Sequence, residues 1–472
     1  MSSSAASSVA HHHAPLSVAG LRRELPQLLR LAGPVVVAEL GGMAMGLVDV
    51  MMVGRVGASA IGAVSVGANL FHFVSMFGIG ILLGLDYLVS HAFGGGRMHE
   101  AHRTLVQSLY LCVFLTVVLS VLLWAANHWL HLAGIDPAVL PDARAYLSTV
   151  SIGLLPFLWF VALRRYLQAV GLVRAATFAL VSANLVNVLV NWILIFGNLG
   201  APALGAEGAA WATTLSRVYM LAVLIAFVLW HARREDRALF HVALAPDFAV
   251  LARIVKLGLP ASAQVVLEGG VFTAATLLAA GLDPLSLAAH QIALGAAAFS
   301  FMVPLGVASA GAVRVGKALG AGDPRGAERA GWAALAVGGT FMSFAALVFV
   351  LAPRLVMRAF TTDEAVIATG ISLLQVAAVF QLFDGLQVVG AGILRGSGET
   401  RVAMVAAAVG YWVIGLPVGY GLCFRGGMGV RGLWIGLSVG LIVVAIALVA
   451  WWARRIASLQ HPVPHATRAL AS

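Results

Sequence analysis

The segment LYLCVFLTVVLSVLLWAA, from Leu109 to Ala126, contains no charged residue. A helix needs ~20 mostly apolar residues to cross the hydrocarbon core of a bilayer, so this segment predicts a membrane-spanning helix. Strands of a membrane barrel would place polar residues at every second position, which this segment does not do. Similar continuous runs recur along the chain, and helices are the other structure that satisfies backbone groups within lipid.

The composition extends this inference to the whole chain of 472 residues. Hydrophobic residues make up 61% of it and charged residues only 10%, too few for the charged surface of a soluble protein. The net charge is +10, but no basic stripe is interleaved with aromatic residues, which argues against nucleic-acid binding.

Cys112 and Cys423 lie in separate apolar runs and predict neither a disulfide framework nor a CxxC metal site. The polar N-terminus does not resemble a signal peptide, and whether its histidines, His11–His13, are native or tag-derived stays open.

We predict an all-α polytopic membrane protein with about twelve transmembrane helices. Their approximate ranges are 27–53, 60–92, 104–130, 143–170, 174–197, 208–231, 249–280, 284–318, 330–352, 366–395, 402–423 and 432–452. With the N-terminus inside, 22 of the 29 Lys and Arg residues fall in inner loops and tails and six in outer loops, while Arg217 lies inside a span. By the positive-inside rule, we expect both termini to face the cytoplasm.

An internal repeat divides the chain into halves. Residues 226 positions apart match in order, as Pro34 does with Pro260, Gly80 with Gly306 and Gly94 with Gly320; chance glycine matches are the alternative. Six spans per half predict two six-helix lobes related by a pseudo-twofold axis along the membrane normal, a transporter plan with the site between the halves. The predicted units are a cytoplasmic N-terminal tail (1–26), an N-lobe (27–231), a cytoplasmic linker (232–248), a C-lobe (249–452) and a cytoplasmic C-terminal tail (453–472).

An ionised acidic side chain inside a membrane span costs free energy, so each one calls for a structural or functional explanation. There are five of them: Glu39, Asp49, Asp86, Glu268 and Asp384. Glu268 and Asp384 lie deep in the second half with no Lys or Arg at mid-depth in their own spans, and such an acid takes up a proton easily, as a proton-driven transporter requires. A neutral, hydrogen-bonded structural acid is the alternative for each. For Asp86, near the basic inner end of its span, we expect a salt bridge or a role in helix packing.

Polar uncharged residues also recur inside the spans. Asn184, Asn187 and Asn191 share one helix face, and such a stripe either lines a polar cavity or holds two helices together. We assign these three to the cavity lining together with Gln264, Gln381, Tyr411 and Glu39. Gln387 and His290 are further polar groups, and a lone histidine such as His290 more often packs than binds a ligand.

Three common catalytic patterns are missing from the sequence. The segment GAVRVGKA, Gly311 to Ala318, is one residue short of a P-loop and follows no strand, so we expect no ATP hydrolysis. No GxSxG elbow or HExxH motif occurs, so we expect no enzymatic activity.

Several segments in order resemble the multidrug and toxic compound extrusion (MATE) transporters, and specifically their NorM-like branch. They are PVVVAELGGMAMGLVDVMMVGRVG, GLDYLVSHAFGGG, LVNVLVNWILIFG with GAEGAAWAT, LEGGVFTAATLLAAGL, AAHQIALGAAAFSFMVPLGVASAGAVRVGKALGAGD and FQLFDGLQVVGAGILRGSGETR, and the resemblance runs from about Pro34 to Trp434. It implies that Asp49, Glu268 and Asp384 are the ion-coupling acids and that Asn187 and Asn191 form a polar N-lobe pair. One branch of the family has Asp where this chain has Asn191, which points to an ion site in the C-lobe. Phe380 stands where some sodium-coupled members have a tyrosine.

The resemblance implies a secondary active antiporter of the bacterial inner membrane that exports organic cations, with two lobes alternating in access. We expect the coupling ion to be H⁺ rather than Na⁺, with a sodium site at Glu268 and Asp384 as the alternative, and no other cofactor. The partners we expect are small organic cations and membrane lipid, with no nucleic acid and a monomeric chain. A lipid-linked oligosaccharide flippase needs a strongly basic cavity, whereas Arg217 alone lies well inside a span. A channel needs a pore-lining charged ring or a filter, and the sequence has neither.

Overall fold

The computed structural model describes residues 18–234 and 243–460, and within these ranges it contains helices and no strands. Eleven helices are long and apolar enough to cross a membrane, and a helix pair bent by 46° makes a twelfth span. In chain order the spans are α1 (Val18–Val53), α2 (Ala58–Gly94), α3 (Met98–Trp129), α4 (Leu140–Ile152 with Leu154–Val170), α5 (Val173–Phe196), α6 (Gly205–Arg234), α7 (Phe248–Ala280), α8 (Pro284–Gly320), α9 (Pro324–Leu351), α10 (Glu364–Gly396), α11 (Arg401–Arg425) and α12 (Val430–Gln460).

The predicted number of spans is confirmed, but several helices are longer than the sequence indicated. The first helix, α1, begins at Val18 rather than at residue 27, and the last, α12, continues to Gln460 rather than ending at 452. The 36 residues of α1 extend over about 54 Å at 1.5 Å per residue, so they exceed a hydrocarbon core of ~30 Å. Hydropathy finds only the part of a helix that lies in lipid, which explains the difference.

Parts of the predicted tails and linker lie outside the described residues. These parts are 1–17, which include His11–His13, 235–242 and 461–472. The boundaries predicted for the two lobes and the linker therefore stay predictions.

Four helices of the second half begin at an aspartate that caps them. In each case the carboxylate accepts hydrogen bonds from backbone N–H groups of the first turn, which have no partner within the helix. The four caps are Asp247 for α7, Asp283 for α8, Asp323 for α9 and Asp363 for α10. Pro284 and Pro324 follow directly in α8 and α9, at the helix position that tolerates proline best.

The contacts between the two halves repeat in pairs. A side chain at Gly94 would meet the backbone of Lys317, and one at Gly320 would meet the backbone of His91. Gly94 and Gly320, like His91 and Lys317, are 226 residues apart, so the second contact is the first with the halves exchanged. Reciprocal contacts of this kind are what a twofold axis generates. They support the predicted pseudo-twofold relation between an N-lobe (α1–α6) and a C-lobe (α7–α12).

The first helix of each lobe begins against the other lobe. Leu28 and Ala32 of α1 belong to the core of the C-lobe, and Ile254 of α7 belongs to the core of the N-lobe. Both helices start at the face of the molecule where α12 ends, which we call the terminal face. The lobes are therefore packed together beside the terminal face, and the later parts of α1 and α7 lead toward the opposite face.

Candidate functional site

The N-lobe contains a compact polar cluster around Asp49. Its Oδ1 atom accepts hydrogen bonds from the side-chain amides of Asn187 at 3.0 Å and Asn191 at 2.6 Å. Its Oδ2 atom accepts one from the hydroxyl of Thr213 at 2.7 Å. Asn191 also donates to Oδ1 of Asn187 at 3.1 Å. The cluster joins α1, α5 and α6, and all four side chains are buried.

Sequence reasoning did not connect two neighbouring residues, Thr213 and Arg217, with this cluster. Thr213 lies in the GAEGAAWAT segment, but a lone threonine gives no signal of its partner Asp49 in α1. Arg217 follows Thr213 by one turn of α6, and its guanidinium lies over the rings of Phe71 at 4.1 Å and Phe157 at 4.9 Å. It donates to the carbonyl oxygen of Val150 at 3.3 Å. Aromatic rings and a backbone carbonyl stabilise this cation within the N-lobe.

The C-lobe contains a second cluster around Glu268. Its Oε2 atom accepts hydrogen bonds from the side-chain amides of Gln264 and Gln387, each at 3.2 Å. Asp384 is buried and within electrostatic range of Glu268. Among the described residues, neither acid has an ion-pair partner. The structure therefore brings together Glu268 and Asp384, which the sequence singled out, with Gln264 and Gln387 beside them.

Tyr411 of α11 completes this second cluster. Its side chain is 1% exposed, and it is within electrostatic range of both Glu268 and Asp384. Its segment, Ala408–Gly415, is π-helical, an arrangement often found at functional sites. Within the described part of the chain, the Tyr411 hydroxyl and Oε1 of Gln387 have no hydrogen-bond partner. The C-lobe cluster thus offers unpaired polar atoms next to two carboxyl groups.

The other residues assigned to the cavity lining lie elsewhere. Asn184 donates to the backbone of Gly41 at 3.1 Å and therefore holds α5 against α1. Glu39 forms an ion pair with Arg164, and Gln381 donates to the hydroxyl of Ser300. His290 lies between Thr276 at 2.9 Å and Trp434 at 3.1 Å, a packing environment of the kind expected for a lone histidine. All three asparagines of the stripe hydrogen-bond to α1, so they hold α5 against α1; the cavity-lining role stays a prediction.

One cavity of the C-lobe does not border these polar residues. It has a volume of about 660 Å³ and lies between α7 and α11 toward the opposite face. Its lining is mostly apolar, with Tyr420 and Arg425 as polar members. Across the described ranges, no group of three His, Cys, Asp or Glu side chains is arranged to hold a metal ion.

Three of the 22 basic residues counted with the inner loops and tails are buried inside helices. Arg164 and Arg165 lie in α4 and are each 9% exposed, and Arg395 lies in α10 and is 8% exposed. Arg395 and Arg165 both contact the carboxylate of Asp86, at 2.9 Å and 3.6 Å. The expected salt bridge of Asp86 is therefore present, but its partners come from both lobes. Charge alone does not mark a loop when an acid from another helix balances it.

Comparison with known proteins shows which family has this fold. The family model described as MatE matches residues 34–193 and 260–421. The two matches cover most of the chain, and they begin at Pro34 and Pro260, the repeat-related prolines of α1 and α7. The chain belongs to the MATE family. The resemblance noted in the sequence is thus confirmed, and this MATE protein carries the family pattern once in each lobe.

Curated relatives of this MATE protein are matched over most of their length and are named NorM. A protein of Mesorhizobium japonicum called probable multidrug resistance protein NorM is 40% identical over 441 residues, 92% of this chain and 94% of its own. The multidrug resistance protein NorM of Burkholderia vietnamiensis is 36% identical over 437 residues, 91% of this chain and 94% of its own. These relatives are transporters rather than enzymes, as we expected from the sequence.

Solved structures confirm the fold of this MATE protein. The crystal structure of the eukaryotic MATE transporter AtDTX14 has a TM-score of 0.85 at 22% identity and covers 93% of this chain and 99% of that one. An outward-facing multidrug resistance MATE transporter has a TM-score of 0.82 at 22% identity, covering 95% and 100%. The prediction of an all-α membrane protein with two six-helix lobes is therefore confirmed.

Proposed function

We propose that this protein is a secondary antiporter that exports organic cations across a bacterial inner membrane. The observation that carries the proposal is the C-lobe cluster, where Glu268 and Asp384 lie together with no basic partner among the described residues. Uncompensated acids inside a membrane protein mark ion pathways and proton relays. The multidrug resistance relatives support drug export as the activity that this cluster drives.

We assign coupling to H⁺ rather than Na⁺. A sodium ion needs several oxygen ligands at once, and Phe380 contributes none, because its ring packs against Phe272 and Trp434. A proton needs only one suitable carboxyl group. Asp49 is the third coupling candidate, but its oxygens already accept three hydrogen bonds. We therefore place the main coupling site at Glu268 and Asp384, with a sodium ion at the same pair as the alternative.

We propose that the terminal face is cytoplasmic, because the basic residues concentrate there. The lobes are packed together beside this face, so we infer that the space between them opens toward the outside. Export then requires a second conformation in which the lobes separate at the terminal face, and the coupling ion works only if it binds the two conformations unequally. We propose that a monomer carries out this cycle without ATP, nucleic acid or any cofactor beyond the ion.

The buried arginines do not favour the flippase alternative. A pyrophosphate-binding cavity needs free cations, whereas Arg164 pairs with Glu39 and both Arg165 and Arg395 contact Asp86. Arg217 is capped by two aromatic rings. The acid-lined C-lobe suits a cation through charge, and nearby aromatic rings add cation–π attraction.

Everted membrane vesicles test the function directly. We expect a cationic dye to accumulate in vesicles that contain the protein when the lumen is acidic, and accumulation to stop when the pH gradient is collapsed. A sodium gradient imposed at constant pH should drive little uptake. Dye uptake under the sodium gradient alone would overturn the proton assignment, and no uptake under either gradient would overturn the proposed antiport of organic cations.

A further inference from the structure

The charged groups buried between the lobes have no part in the coupling site. Asp86 of α2 is 0% exposed. Its Oδ2 atom lies 2.9 Å from Nε of Arg395 in the C-lobe and 3.6 Å from a guanidinium nitrogen of Arg165 in the N-lobe. The same nitrogen of Arg165 donates to the hydroxyl of Ser309 in α8 of the C-lobe at 3.1 Å. One acid thus stands between two cations that belong to different lobes.

This group lies where the lobes must separate. Ser90, one turn after Asp86, is in such close contact with α8 that a side chain at Gly316 would collide with its hydroxyl. Tyr87 lies against Gly398, which follows α10. The contacts on both sides of Asp86 therefore join the lobes beside the terminal face. Opening this face must pull Arg395 away from Asp86.

Removing one partner from a buried ion pair is strongly unfavourable, because it leaves a charge without compensation. Arg165 prevents that outcome for Asp86. It lies in the same lobe as Asp86, so it stays beside the acid when the C-lobe moves. Arg395, by contrast, lies one residue before the end of α10 at Gly396 and reaches water when the terminal face opens.

We propose that Asp86 is a switched ion-pair lock between the lobes. In the conformation described, it is bound by Arg395 across the interface, which holds the terminal face closed. In the other conformation Arg165 alone holds it, which lowers the cost of opening. Arg395 and Arg165 therefore bias the same equilibrium in opposite directions. This inference rests on the alternation of the lobes in the proposed function, and it adds the residues that set the balance between the two conformations.

The test measures the distance between the lobes at the terminal face. Spin labels at the exposed positions His99→Cys on α3 and Arg325→Cys on α9 report that distance, in a background with Cys112→Ala and Cys423→Ala. We expect Arg395→Gln to raise the ratio of open to closed populations about tenfold or more, since a buried pair is broken. Arg165→Gln should lower that ratio, because the open state loses the partner of Asp86 while the closed state keeps Arg395.

Four further variants keep the result interpretable. Asp86→Asn should also favour the open state, since it leaves two arginines facing each other across the interface. Arg358→Gln is the matched control, because Arg358 forms an exposed ion pair with Glu364 of its own lobe at 2.9 Å, and it should leave the ratio unchanged. If a glutamine variant fails to fold, Arg395→Lys and Arg165→Lys carry the same comparison with smaller shifts of the same opposite signs.

Shifts of the same sign for Arg395 and Arg165, or no shift, would overturn the lock. The distances are recorded without substrate and without any gradient, so they do not depend on which ion or drug is transported. If the Arg395 and Arg165 variants shift the ratio of open to closed populations in opposite directions but the protein takes up no dye, the proposed function is refuted and the lock is not. If dye uptake is normal but neither variant shifts that ratio, the lock is refuted and the proposed function is not.

Discussion

At the level of residues, the two acid clusters differ in how completely they are satisfied. Asp49 accepts hydrogen bonds from three side chains of α5 and α6. Asp384 accepts none among the described residues, and the hydroxyl of Tyr411 nearby is also without a partner. A buried polar group that lacks a partner calls for an explanation, such as a site for an ion or a water molecule. The C-lobe cluster is therefore the better candidate for a group whose protonation changes during transport.

Asp384→Asn is expected to abolish gradient-driven export while the protein remains folded. The amide has almost the same shape as the carboxyl group, but it cannot take up a proton. Glu268→Gln should cause a similar loss and should keep the contacts with Gln264 and Gln387. The measurement is dye uptake into everted vesicles, with thermal unfolding of the purified protein as a check on folding. Wild-type uptake with normal pH dependence in the Asp384 variant would make this residue structural.

The Tyr411→Phe variant is expected to affect stability and transport differently. Its hydroxyl is buried without a described partner, an arrangement that costs about 1–3 kcal/mol, so the variant should be as stable as the wild type or more so. If the hydroxyl serves the C-lobe site, transport should nevertheless slow severalfold. Thermal unfolding and dye uptake are measured on the same preparation. A less stable variant with normal uptake would assign the hydroxyl a structural role instead.

At the level of elements, glycines bring α11 and α12 into backbone contact. An added side chain at Gly436 would collide with Gly419, and one at Gly415 would lie 3.0 Å from the carbonyl oxygen of Gly436. This close packing fixes the π-helical segment that carries Tyr411. Small residues at helix interfaces are a general means of association in membranes, so the position of Tyr411 depends on residues that have no chemistry of their own.

Gly436→Ala should therefore destabilise the protein. Inserting a methyl group into a tightly packed interface costs about 1–3 kcal/mol, and here the obstacle is the backbone of Gly419, which cannot rotate away. We expect a lower unfolding temperature and less folded protein. Gly421→Ala is the control, because an added side chain there meets nothing within 4 Å. Equal unfolding temperatures for the two variants would contradict the role given to this interface.

At the level of the whole molecule, the sequence predicts the number and arrangement of the helices well. It predicts poorly which side chains from different helices contact each other. Apolar runs and the repeat of Pro34 and Pro260 indicate twelve spans in two related halves, because both signals are local in the chain. The contact of Thr213 with Asp49 and that of Arg395 with Asp86 depend on how helices pack. No spacing rule connects residues that are 164 and 309 positions apart. For the same reason the sequence does not predict that Arg395 is buried against Asp86.

The reciprocal glycine contacts lead to a prediction about the conformational cycle. Gly320→Ala places a methyl group against the backbone of His91 in the other lobe, so the terminal face should close less readily. We expect slower export with little change in unfolding temperature, since the core of each lobe is untouched. Gly295→Ala, on the same helix but with open space around it, should transport normally. Normal export by the Gly320 variant would show that this contact does not need to form.

If protons bound at Glu268 and Asp384 drive export, entry of an organic cation must move protons in the opposite direction, and this proton movement can be measured. The purified protein is placed in liposomes that contain a pH-sensitive dye, with no gradient imposed, and an organic cation is added outside. We predict that the lumen becomes alkaline as the cation enters and protons leave, and that Asp384→Asn abolishes this response. Cation entry with no change of luminal pH, accompanied by loss of sodium from sodium-loaded liposomes, would contradict proton coupling at these two acids.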